Sequence, residues 1–293
     1  MSTTETASGR YAGIEDWSTQ ELVDAMLESQ MAAIAAVHGA RAPLSQAIDQ
    51  AAERLKRGGR MIYAGAGTSG RIAAQDAAEL PPTFNWPYER AIPVMAGGDR
   101  AFIHAAEGAE DDGNAARTAL AELGLSDKDV VIGVAASGRT PFAVEALRYA
   151  RETGALAIGL YNNAGGRIGE VSDIAILIET GAELLAGSTR MKAGTAQKVA
   201  LNAISTGVMT KLGFVYRGLM VEMRATNEKL VGRAIKMVAT LCAVSEDTAR
   251  EAFFASGESI KVATVMLTLG LDKAGAESRI AATGGTLRAA LED

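Results

Sequence analysis

Short, uninterrupted apolar runs alternate with segments whose apolar residues recur at helical spacing along most of this chain. The runs are MIYAGAG (61–67), IPVMA (92–96), VVIGVAA (130–136), LAIGLY (156–161) and DIAILI (173–178). Runs of this length, apolar throughout rather than at every second position, predict strands buried on both faces. Helical stretches at 69–79, 113–123 and 141–153 separate most of them. Strands alternating with helices in this way predict an α/β fold with a parallel, doubly wound sheet.

The flanks read differently. Residues 1–16 are polar and predict a loose arm. Ser18 followed by Glu21 forms a capping box, and it opens a run with apolar Leu22, Met26, Met31, Ile34 and Val37 that predicts a helix to about 38. A second helix fits 44–57. Beyond 180, residues 192–212 predict one long helix with Gly194, Ala196, Ala200, Ala203 and Gly207 along one side, and a second long helical region follows at 219–243. Ser245, Gly257, Gly270 and Asp272 then punctuate helices at 246–254, 259–269 and 273–282, and Gly284-Gly285 precedes a last short turn. The pattern predicts an arm (1–16), a main domain with long helices (17–240) and a small helical C-terminal domain (241–293).

Composition narrows the class. The chain has 293 residues, is 48% hydrophobic but only 5% aromatic, and carries 32 glycines, so its core must be built from aliphatic side chains with close backbone contacts. Lys+Arg number 29 against 35 Asp+Glu, a net charge of −6 with no basic block, which argues against a nucleic-acid partner. A single cysteine, Cys242, and two histidines, His38 and His104, exclude a disulfide framework and a Cys/His zinc cage. They also weaken any mechanism built on a Ser-His-Asp triad. The N-terminal segment lacks the basic and apolar regions of a signal peptide, and no apolar run is long enough to span a membrane. The expectation is a soluble cytoplasmic enzyme.

Two strand-to-helix turns resemble each other: RMIYAGAGTSGR (60–71) and DVVIGVAASGRT (129–140) both run from a strand through small residues to Ser-Gly-Arg. The first, Gly65-Ala66-Gly67-Thr68-Ser69-Gly70, also fits the G-x-G-x-x-G pattern of a dinucleotide site. That reading wants an acidic residue closing the next strand, where this chain has Met95-Ala96-Gly97-Gly98 and reaches Asp99 late. A phosphosugar fits better. Backbone N–H groups at a helix start carry partial positive charge. This chain places hydroxyls at three such starts: Thr68-Ser69, Ser137 with Thr140, and Ser188-Thr189 ahead of Arg190 and Lys192. Any one of these reads as a plain helix cap; two alike favour phosphate. Without a metal cluster, acids and bases would be carboxylates. Glu79, before Leu80-Pro81-Pro82 which should stop its helix, and the acidic stretch Glu107–Asp112 are the candidates. By residue type alone both also read as solvated surface charges.

Longer blocks are more specific. Gly65 through Arg71, Asp76-Ala77-Ala78-Glu79-Leu80-Pro81-Pro82-Thr83-Phe84, Ala96-Gly97-Gly98, Glu107-Gly108-Ala109-Glu110-Asp111, Ala135 through Pro141, Gly187 through Lys198, and Met220 through Asn227 together resemble the N-acetylmuramic acid 6-phosphate etherases over about residues 15–293. The resemblance implies a sugar isomerase domain, that is, a five-stranded parallel sheet flanked by helices, plus a small three-helix C-terminal domain. It implies a homodimer that needs no metal and no organic cofactor. The implied reaction cleaves the D-lactyl ether of the substrate by elimination and water addition, in bacterial cell-wall sugar recycling. Acid/base duty would fall to Glu79 and Glu110. The substrate would meet Gly67, Thr68, Ser69, Ser137, Gly138, Arg139, Thr140, Ser188 and Thr189. Two places depart from the family: Leu80 stands where a cysteine is common, and the arm differs at Ser8 to Ala12. Two other readings use the same fold: a sugar phosphate isomerase, and a non-catalytic phosphosugar-sensing regulator.

Overall fold

A computed structural model describes residues 2–292; Met1 and Asp293, the outermost residues of the expected arm and C-terminal domain, lie outside it. The described chain divides into two compact units: one holds residues up to Ala78 together with Tyr88–Gly207, the other Glu79–Pro87 together with Val208 onward.

The arm folds as short 3-10 turns rather than loosely, and Thr4 within it is buried. Helices α1 (Thr19–Gly39) and α2 (Arg41–Lys56) follow, α1 opened by the Ser18–Glu21 capping box with both of its reciprocal hydrogen bonds. The sheet is then laid down as β1 (Met61–Gly65), α3 (Gly67–Phe84), β2 (Ala91–Met95), α4 (Gly113–Glu122), β3 (Val130–Ala135), α5 (Pro141–Glu152), β4 (Leu156–Tyr161), the single turn α6 (Ile168–Val171) and β5 (Ile174–Leu177). All pairings are parallel, in the order β2-β1-β3-β4-β5. The five apolar runs of the sequence are these five strands.

Strands β1, β3 and β4 are buried at every position, as parallel strands with helices on both faces must be. On one face Ile62, Ala64, Val131, Ala135 and Ala157 pack with Ala116 and Leu120 of α4 and Ala143 and Leu147 of α5. The approach is close: a Cβ on Gly133 would meet Leu147 Cγ at 2.7 Å. The long buried helix α7 (Lys192–Lys211) carries a polar anchor on its inner side. Asp76 of α3 accepts from Tyr63 Oη (2.9 Å), Asn202 Nδ2 (2.7 Å) and Ser205 Oγ (3.1 Å). Burial pushes the Asp76 carboxyl above its ordinary range, and these three donors oppose that rise. The three donors offset part of the cost of placing a carboxyl group in the interior.

The second unit contains a two-stranded hairpin, β6 (Val215–Tyr216) with β7 (Leu219–Met220), and helices α8 (Glu228–Cys242), α9 (Glu246–Ala255), α10 (Ile260–Leu269), α11 (Lys273–Ala282) and α12 (Leu287–Glu292). Ser245, Asp272 and Gly270 act as the predicted caps and stop. The expected helix over 219–243 begins nine residues late, at Glu228 behind the Asn227 cap. The preceding stretch is a hairpin because Arg217 (φ 48°) and Gly218 (φ 76°) both take the left-handed conformation that a tight two-residue turn needs.

Pro81 and Pro82 do not stop their helix, which continues to Phe84. The proline ring already holds a helical φ, and the two lost N–H donors fall in the final turn. Leu80 and Phe84, one turn apart, are both buried. Burying two such side chains is worth about 1.5–3 kcal/mol each, enough to offset a penalty of about 3 kcal/mol for an interior proline.

Candidate active site

In a parallel sheet of this strand order the chain reverses direction of construction between β1 and β3, and a crevice opens beyond their carboxyl ends. The two similar turns found in the sequence follow these two adjacent strands. They form the wall of a cavity of about 430 Å³. Gly67, Thr68, Ser69, Ser137, Arg139, Thr140 and Thr189 all line it, and so does Glu110.

The first turn depends on two glycines. A Cβ on Gly65 would sit 2.9 Å from the Gly70 Cα, and one on Gly70 would sit 2.7 Å from the Gly65 carbonyl oxygen. Without side chains there, α3 starts directly against the end of β1, and its first N–H groups face the crevice. In the second turn Gly138 takes φ 67°, and Ser137 Oγ accepts from the Arg139 N–H at 3.1 Å. Pro141 opens α5 and contributes no donor of its own.

The hydroxyls of these turns differ in how far the protein itself uses them. Thr140 occupies the N-cap position of α5 but makes no side-chain capping bond. The Thr68 and Ser69 hydroxyls have no hydrogen-bond partner among the described residues. Ser137 Oγ uses only an acceptor lone pair, leaving its O–H to donate. The Thr68, Ser69 and Thr140 hydroxyls are not spent on capping bonds, and with Ser137 and Arg139 they line the cavity beside two helix N-termini.

The two Ser-Gly-Arg arginines diverge. Arg139 lines the cavity, whereas Arg71 donates to the carbonyls of Ala101 (3.1 Å), Phe102 (3.2 Å) and His104 (3.2 Å) and pins the loop after β2. That loop leads to the 3-10 turn Ala109–Asp111, which carries Glu110. Glu110 also lines a neighbouring hollow of about 220 Å³, walled by Ala101, Ala105, Ala106 and Ala109, that shares Ala66 and Gly67 with the main cavity.

Three predicted residues do not line the cavity. Gly138 shapes its turn from a buried position, and Ser188 lies next to the lining Thr189. Glu79 is an exposed residue of α3 outside the lining set. Lys192, beside the third hydroxyl cluster, is buried and donates to the Thr180 carbonyl at 3.0 Å; burial pushes its ammonium below the ordinary lysine value. The start of α7 is held instead by Glu183, fully buried, which accepts the N–H groups of Lys192 and Ala193 at 2.9 Å each. Sequence reasoning missed Glu183 and the cavity residue Glu5, while Asp111, inside the acidic stretch that it singled out, lines the cavity beside Glu110. Glu5 had no local signal, since the arm around it has no periodicity and no motif.

Residues 43–151 match the glucokinase regulatory protein N-terminal SIS domain, and residues 114–206 match the SIS domain. A phosphoheptose isomerase from Francisella tularensis is similar in structure at a TM-score of 0.48, with 17% identity over 67% of this chain and 98% of that one. The N-acetylmuramic acid 6-phosphate etherase of Deinococcus radiodurans is 45% identical over 98% of this chain and 94% of its own length. The protein of that name from Salmonella agona is 44% identical over 98% and 97% respectively. Identity at this level across nearly the full length of both proteins means that the chain belongs to the N-acetylmuramic acid 6-phosphate etherase family.

Proposed function

We infer that this protein cleaves the D-lactyl ether of N-acetylmuramic acid 6-phosphate, giving N-acetylglucosamine 6-phosphate and D-lactate, as a step in the recycling of bacterial cell-wall sugar. The observation that carries the reading is the cavity at the β1/β3 crevice, where unspent hydroxyls and two helix N-termini meet a carboxylate, Glu110, in a chain of this family. The hydroxyls of Thr68, Ser69, Ser137 and Thr140, with Arg139 and the backbone N–H groups, bind the 6-phosphate; Gly67 and Gly138 let the backbone approach, and Thr189, with Ser188 next to it, closes the third side.

The chemistry follows from what is at hand. An ether is a poor leaving group for direct displacement, but in the open-chain sugar the C2–H is acidified by the C1 aldehyde. A base takes the C2 proton, the C3–O bond breaks, and a proton is delivered to the departing lactyl oxygen. Water then adds at C3 of the unsaturated aldehyde and C2 regains a proton. Two carboxyl groups and a phosphate anchor supply all of this. Glu110, at the junction of the main cavity and the alanine-walled hollow, serves as the C2 base. Glu79 serves at the C3 oxygen, an assignment that rests on its motif. A sugar phosphate isomerase would also need a base at C2, but it would release no lactate.

The working form is a homodimer, supported by α1. Its buried stripe is made of small residues, Ala25, Ser29, Ala33 and Val37. Val23, Met26, Leu27, Met31 and Ile34 face outward, with Met31 64% and Leu27 61% exposed. One helix carrying five exposed aliphatic side chains fits a partner surface, and a second copy presents the same stripe. Among the described residues no single helix is long and apolar enough to cross a membrane. A phosphorylated sugar substrate and a free Cys242 fit the cytoplasm.

The reaction is tested in heavy-oxygen water. Label should enter the C3 hydroxyl of N-acetylglucosamine 6-phosphate and none should reach the lactate hydroxyl; label in that hydroxyl would mean attack at the lactyl carbon. Ser137→Ala should weaken binding of N-acetylglucosamine 6-phosphate by about 1.5–3 kcal/mol, roughly 10- to 150-fold in Kd by calorimetry. An unchanged Kd would reduce the turn to a helix start. Glu79→Gln and Glu110→Gln should each lower kcat on the order of 10²–10⁴-fold with product affinity largely kept; turnover within a few-fold of the parent removes the acid/base role of that residue. Replacing Leu27 and Met31 with Glu should convert the dimer to monomer in sedimentation at micromolar protein, with the far-ultraviolet dichroism unchanged.

A further inference from the structure

The arm carries a carboxylate into the cavity, and its attachment is built rather than incidental. Asn163, 1% exposed just beyond β4, has its side chain committed to the arm and to the Ser137 turn. Its Oδ1 accepts from Thr4 N (3.2 Å) and Thr3 Oγ1 (2.9 Å), while its Nδ2 donates to Thr4 Oγ1 (3.0 Å) and to the Ala136 carbonyl (2.8 Å). From the other side the Gly187 N–H donates to the Thr4 carbonyl at 2.9 Å. The arm is thus tied both to the residue before Ser137 and to the residue before Ser188-Thr189. The next residue is Glu5, and it lines the cavity. Its Oε2 lies 2.7 Å from where a Cβ on Gly187 would stand, so the bare glycine, at φ 78°, leaves the room that the carboxylate occupies.

A carboxylate is an acceptor only, and the phosphate end of the cavity has no use for it. A phosphomonoester carries about −1.5 to −2 charges and is repelled by a second anion. The lactyl carboxylate is repelled in the same way. What remains on the ligand is its neutral donors, the sugar hydroxyls and the acetamido N–H. We propose that Glu5 is a specificity-determining residue of this site, accepting a hydrogen bond from a hydroxyl or amide N–H of the sugar while the arm that carries it forms a wall of the cavity. The proposal rests on the phosphosugar reading of the cavity and adds to it a contact to the sugar itself.

Steady-state kinetics with N-acetylmuramic acid 6-phosphate and competition by inorganic phosphate separate this from a structural role. Glu5→Ala should raise KM roughly 10- to 100-fold, the loss of one charge-assisted hydrogen bond, with kcat within about threefold. Inhibition by inorganic phosphate should not weaken. Glu5→Gln keeps an acceptor oxygen and should recover part of the loss. Comparing the two competitors N-acetylglucosamine 6-phosphate and glucose 6-phosphate identifies the donor: weakening of the first alone points to the amide, weakening of both to a hydroxyl. An unchanged KM overturns the proposal, and so does an equal loss of inorganic phosphate inhibition, which would make the arm a support for the phosphate turns only. Ser137→Ala is the independent control. If it leaves phosphate inhibition intact, the phosphosugar reading of the cavity fails, whatever Glu5→Ala does.

Discussion

Between β1 and α3 the backbone turns with no side chain in the way, because a Cβ on Gly65 would lie 2.9 Å from the Gly70 Cα and 3.0 Å from its nitrogen. Real Cβ atoms do not approach backbone so closely, so either glycine replaced would push α3 away from the sheet. The position of everything else at the crevice follows from that contact. It sets where the first N–H groups of α3 point and where Thr68 and Ser69 stand. Through Arg71 it also sets where the loop carrying Glu110 is pinned. The neighbouring strand repeats the arrangement with Gly138 and Ser137, so the crevice is floored by two helix starts side by side. Helix N-termini act on an anion only within about a turn, which is why placement matters more than the number of donors.

The polar groups buried beneath the site keep it in place. Asp76 ties α3 to Tyr63 of β1 and to α7 through Asn202 and Ser205. Glu183 holds the start of α7 by two backbone N–H groups. Each is a carboxyl group in the interior that accepts two or three hydrogen bonds, and removing those donors would leave it buried without partners, at a cost in stability. Such arrangements fix one packing of the helices and disfavour others. A cavity whose Thr68 and Ser69 hydroxyls have no hydrogen-bond partner among the described residues depends on the rigidity of the helices that carry them.

Several features were legible in the chain because they depend on neighbours in sequence. The five apolar runs became five strands, since a strand buried on both faces needs only its own composition to be recognised. The caps at Ser18, Ser245 and Asp272 and the stop at Gly270 are local hydrogen-bond patterns and appear as predicted. The two Ser-Gly-Arg turns are alike in sequence, and the strands they follow proved adjacent. Where long-range packing competes with local preference, the local signal misled. Pro81-Pro82 sit inside a helix because Leu80 and Phe84 are buried on either side of them. Met26, Met31 and Ile34 marked their helix correctly, but spacing alone does not say which stripe of α1 turns inward, and they lie on the surface.

The sequence by itself therefore determined the class of fold, the strands and their turns, and the residue types available for binding phosphate and moving protons. Each of these is set within a few residues, by side-chain period, by capping chemistry and by glycines where the backbone must bend. The tertiary structure decided which of those residues share a cavity. The strand order brings Ser69 and Ser137 together across 68 positions of chain. Asn163 brings Glu5 to them from a segment with no pattern at all. It also decided that two arginines in like motifs do different work, Arg71 clamping a loop and Arg139 facing the crevice. Such choices depend on contacts between residues far apart in sequence, and no local period or motif encodes them.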